Sequence, residues 1–194
     1  MEIKGSKGTP ADVTSEGRLL SHAVTRTEKE DAILRGMGFT LVEDTVTPTG
    51  PADCFLYVGN DDIDAHILVI ESLEMETTAA EDIYLKVGPT YATTGTSAAV
   101  DAAQNRLAGH ANVFSDFGTA EAGVDITGQG ASVEIARFES TALAKHEWNE
   151  DNAPVFPIML GKGQSLSVFA GTGITAITHV TVQSYWLSTP AIDG

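Results

Sequence analysis

IDAHILVIESLEME, residues 63–76, is the stretch on which the fold turns. It is long and rich in β-branched residues, so it reads as a strand. Its middle, residues 67–70, is apolar on both faces. A strand with one face in water would alternate, so this one belongs at the centre of a sheet or carries a bulge.

Other strands are legible on both sides of it. FTLVED (39–44) and CFLYVGN (54–60) precede it, and DIYLKVG (82–88) follows. ASVEIARFES (131–140) alternates, with Val133, Ile135 and Arg137 expected on one face and Ser132, Glu134 and Ala136 on the other. VFPIML (155–160) is an apolar run interrupted by Pro157, which suits an edge or a bulge. GKGQSLSVFAG (161–171) reads as a turn and then a strand with Leu166, Val168 and Ala170 on one face. THVTVQSYWLS (178–188) places Val180, Val182 and Trp186 together. About eight strands separated by turns predict an all-β fold, a jelly roll or β-sandwich of antiparallel strands.

Two segments depart from this pattern. Residues 1–35 read as an extended N-terminal arm ending in a short helical turn over 28–35. Thr27 and Glu30 have capping-box spacing, and Gly36 supplies a stop. Residues 36–194 form the predicted jelly-roll domain. Within it, 89–130 reads as a long excursion carrying contacts to neighbours, with an Ala-rich helix expected over TSAAVDAAQNRLAG (96–109) and loop after it.

Composition narrows the function. The chain has 194 residues and a net charge of −16, from 27 acidic and 11 basic residues. That balance opposes direct binding to nucleic acid, which needs a basic patch. It suits a self-repelling, soluble surface or a salty, halophilic habitat where salt screens the repulsion. No run approaches the ~18 apolar residues of a membrane span, so no membrane insertion is expected. The single cysteine, Cys54, lies among strand residues and reads as a buried thiol.

Candidate chemistry is sparse. Asp62, Asp64 and His66 would share one face of a strand, and such oxygen-rich spacing is a candidate metal site for structural calcium. In so acidic a chain a solvated strand edge is the favoured reading. KHEWNEDN (145–152) gathers His146, Glu147, Glu150 and Asp151, which read as a charged loop before they read as an acid–base or metal site. Trp148 in that loop is a candidate for stacking on a ligand such as a sugar ring. The five histidines are scattered, and no Ser-centred elbow, P-loop or zinc spacing occurs. The expectation is a protein that is not an enzyme and needs no cofactor.

Four motifs carry a resemblance. VTSEGRLL (13–20), ADCFLYVGNDD (52–62), GKGQSLSV (161–168) and VTVQSYWL (180–187) follow one another in the chain. Together they resemble a group of small jelly-roll structural proteins of tailed viruses. Members begin with a VT-x-x-N-R-L-like segment, continue with a D-x-x-x-L-x-V-x-N strand and a late G-x-S-L/I-x-V strand, and close on an aromatic strand. Gly17 stands where the pattern has Asn, and the Ala-rich stretch 97–109 has no counterpart in it.

The resemblance implies a virion protein, made in the host cytoplasm, that decorates the capsid as a turret or head fibre or sits on the tail. It implies self-association as a homo-oligomer, a trimer, and contact with the major capsid protein or another virion protein. The arm, through Val13, Thr14, Arg18, Leu19 and Leu20, would dock onto the shell or a neighbouring subunit. The alternative is a tail- or baseplate-associated module that binds carbohydrate or the cell surface.

Overall fold

The computed structural model describes residues 27–47, 53–62, 66–90, 98–99, 104–107, 114, 117–125, 132–171 and 177–187. The arm residues Val13, Thr14, Arg18, Leu19 and Leu20, and Asp64, lie outside them.

The chain opens with α1 (Glu28–Leu34). Its cap is the predicted one: the Thr27 side chain accepts from the Glu30 N–H, and the Glu30 carboxylate accepts from the Thr27 N–H. Gly36 takes φ +76°, and the N–H groups of Gly36 and Met37 donate to the Ile33 and Ala32 carbonyls, which closes the C-terminus.

Among the described residues twelve strands follow: β1 (Gly38–Val46), β2 (Asp53–Asn60), β3 (Ile67–Thr77), β4 (Glu81–Pro89), β5 (Ala98–Ala99), β6 (Gln104–Asn105), β7 (Gly118–Asp125), β8 (Val133–Ser140), β9 (Lys145–Trp148), β10 (Ile158–Leu160), β11 (Gln164–Ala170) and β12 (Ile177–Leu187). They form two antiparallel sheets, an all-β sandwich. Sheet one runs β10-β3-β12-β1-β6, with β9 also on β3. Sheet two runs β5-β7-β2-β11-β4-β8. Successive strands β1 to β4 alternate between the sheets. No helix among the described residues is long and apolar enough to cross a membrane.

Period-two alternation builds the core. Leu56, Val58, Ile83, Leu85, Leu166 and Val168 of sheet two meet Phe39, Leu41, Leu73, Met75, Val182 and Trp186 of sheet one, all buried. The apolar middle of β3 is explained by its place between β12 and the β9/β10 edge, and its ladder with β12 shifts register between Gln183 and Ser184. A second buried cluster, Cys54, Tyr57 and Phe169 with Tyr84 beside it, stands apart from the main core.

Three expectations are corrected. The described residues of the Ala-rich stretch are strand and bend rather than helix. Residues 98–99 pair with β7 and residues 104–105 with β1, so the segment reaches one flank of both sheets. Alanine's helix preference is worth only tenths of a kcal/mol per residue, and pairing with a sheet overrides it. The loop expected after it contains β7, whose Ala120 and Ala122 pack toward the core. In β8 a bulge shifts the register between Leu85 and Lys86. Val133 then pairs with Val87, on the side of Ala136 and Phe138, while Glu134 joins Arg137 on the other. The Glu134–Arg137 ion pair at 3.1 Å, three residues apart on a strand, depends on that shift.

Gly118 marks the tightest approach in the sandwich. A Cβ there would lie 2.7 Å from the Gly59 carbonyl oxygen and 3.1 Å from Cζ2 of Trp186. Backbone cannot yield as a side-chain tip does, so Gly118→Ala is expected to cost about 1–3 kcal/mol, read as a lowered denaturation midpoint at unchanged slope.

Candidate interaction surface

The outer face of sheet one carries α1, and the described polar and apolar recesses of the molecule lie beside that helix. Gly38 lets the helix come close, since a Cβ on it would stand 2.7 Å from Cγ1 of Ile33. Trp186 N–H donates to the Met37 carbonyl and ties β12 to the chain leaving the helix.

On one side lies an open polar cleft of about 300 Å³. Glu71, Glu147, Glu150 and Asp151 supply carboxylates, and Tyr185 and Gln183 of β12 form part of its wall. Glu71 is held from two directions, by Lys29 of α1 and by Arg106 just beyond β6. Arg106 is itself anchored, its N–H donating to the Gly38 carbonyl at 2.8 Å. The Tyr185 phenol is pushed up from its ordinary value near 10.0, first by burial and then by Glu71, Glu28 and Glu150, with Arg106 opposing.

On the other side lies a larger groove of about 810 Å³. Met37, Ile67, Met159 and Leu187 give it an apolar lining, with Glu28 and Asp31 of α1 along one rim. Met159 is 59% exposed although it sits in a strand. Asp31 is paired with Arg35 at 2.7 Å.

The residues singled out from sequence have other places. Asp62 and His66 do meet, but β3 begins only at Ile67, so the pair spans a connection rather than one strand face. The buried Asp62 carboxylate accepts from the His66 backbone N–H at 2.8 Å and contacts Nδ1 of the ring. Asn60 completes the clamp, its side chain donating to the His66 and Leu160 carbonyls. Among the described residues no three His, Cys, Asp or Glu side chains are grouped to hold a metal.

Trp148 is the clearest correction. It is only 9% exposed, stacks on Phe138 at 4.9 Å and lies near-parallel to His146 at 5.8 Å. It is a core residue at the end of β9, and its ring is not free for a ligand. A histidine–carboxylate pair and a Thr–His contact also sit on a sheet surface. His179 joins Asp44 and Thr181 at 2.7 Å each on the exposed side of β1 and β12.

Reasoning from sequence missed both recesses. Their residues come from α1, β3, β10 and β12 and from the turn after β9, and no local spacing links these.

Comparison with family models, with curated proteins and with solved structures finds no match.

Two outcomes test these assignments. Trp148→Ala is expected to lower stability by about 3–5 kcal/mol, measured by chemical denaturation, because it empties a packed site. Tyr185 is expected to release its proton above pH 10.0 in an ultraviolet absorbance titration, and Glu71→Gln should bring that midpoint down. The linkage has a definite sign. The unfolded chain loses this proton first, so the stability it contributes is complete below pH 10 and lost as pH rises through the higher folded value.

Proposed function

We propose that this chain is a non-enzymatic structural protein of a tailed virus, placed on the capsid surface as a turret or head fibre in homotrimers. The observation that supports the reading is the strand order. With the two-residue strands and β7 set aside, one sheet runs β10-β3-β12-β1 and the other β8-β4-β11-β2. Strands that alternate between two sheets in this order suit the two Greek keys of a jelly roll.

Three of the four motifs behind the resemblance fit that frame, and 13–20 lies outside the described residues. Residues 53–60 form β2, and 164–170 form β11, its neighbour in the ladder. Residues 180–187 fall in β12, at the centre of sheet one. In this reading the subunits meet through one flank of the sandwich, the partner is the major capsid protein or another virion protein, and the acid excess keeps particles apart in a salty medium.

A second reading is a tail- or baseplate-associated carbohydrate-binding module. The polar cleft beside Tyr185 favours it, because a partly buried ring edged by carboxylates and amides suits a polyhydroxy ligand.

Light scattering behind size exclusion, in molar salt, tests the first reading. The expected mass is three times 20.4 kDa. A monomer that binds glycans, and loses them on Tyr185→Ala, would replace it with the second.

A further inference from the structure

We propose that the apolar groove beside α1 is the seat of the chain's own segment around Leu19 and Leu20. The inference rests on reading the first residues as a docking arm, and it says where the arm sits before it meets any partner.

Three observations carry it. The first is position. The groove is rimmed by Glu28, the first residue of α1, so the chain preceding Thr27 enters at its edge. Seven Cα–Cα steps lead from Leu20 to Thr27 and span up to about 23 Å, far more than the ~10 Å length of a seven-residue helix.

The second is charge. Residues 1–26 hold four of the 11 basic residues and three of the 27 acidic ones, a net +1 against −17 for the remaining 168 residues. The basic part of the chain is thus tied to a strongly acidic body. In the proposed seat Arg18, next to the leucine pair, is opposite in charge to Glu28 on the rim, while Asp31 is paired with Arg35, which also lines the groove.

The third is the apolar lining. Met37, Ile67, Met159 and Leu187 offer methionine and aliphatic surface, with Met159 59% exposed. Burying two leucine side chains there removes apolar surface from water, which is favourable. A short tether gives an effective concentration of about millimolar, so the chain's own segment outcompetes that of a second copy in dilute solution.

Limited trypsin digestion of the full chain tests this, followed at the bond after Arg18. Leu20→Asp alters the segment and Met159→Asp the groove, and Leu143→Asp, at an exposed leucine remote in sequence from both, is the control. Wild type and control are expected to be cut at least about tenfold more slowly than the other two variants, because cleavage follows the fraction of open segment.

Equal rates in all four proteins would overturn the proposal. So would loss of protection in Leu20→Asp alone, which would seat the segment elsewhere. Protection that grows with protein concentration would also overturn it, by assigning the groove to the segment of a second copy. None of these outcomes depends on the trimer mass, so the failure of this inference and that of the virion reading are separate results.

Discussion

Sheet one depends on the insertion of β12 between β1 and β3. β12 pairs antiparallel with β1 along one edge and β3 along the other. It carries Val180, Val182 and Trp186 into the core, all nearly inaccessible to water. Neither β1 nor β3 touches the other in the ladder, so without β12 the sheet has no middle. The outer surface inherits that dependence. α1 rests where β1 and β12 meet, and both recesses beside it take a wall from β12.

What the sequence made legible was whatever is local. The cap of α1 is contained within a few residues of Thr27 and Glu30. The alternation in 164–170 and 180–187 is a direct record of which side faces the core. The unalternating middle of β3 correctly pointed to a strand with neighbours on both sides. Pro157 correctly pointed to an edge, since among the described residues β10 pairs only with β3. Cys54 is buried, as its strand-like surroundings suggested.

The misreadings share a cause. Alanine and glycine are weak β formers, so β7 and the pairings of residues 98–99 and 104–105 left little trace in composition. What settles those segments is a sheet edge contributed by distant residues. Trp148 looked exposed because it adjoins Asn149, Glu150 and Asp151, yet its partner Phe138 lies ten positions earlier on another strand. Asp62 and His66 were expected, with Asp64, on one strand face as a candidate calcium site, and the structure joins the two across a connection. A carboxylate that accepts a backbone N–H and faces the ring of the same residue closes a connection between strands. The recesses beside α1 were invisible for the same reason as β7, because they exist only after four remote elements are assembled.

The bulge in β8 has a consequence for how molecules meet. β8 ends sheet two, and an end strand with regular spacing invites any extended peptide to continue the ladder. The shift at Leu85 and Lys86 breaks that spacing, and it brings Glu134 and Arg137 side by side. A charged pair on an irregular margin is a poor template for a further strand. Val133 and Ile135 remain exposed there, but as isolated side chains rather than as the start of a fibre. Such a margin disfavours growth from sheet to sheet.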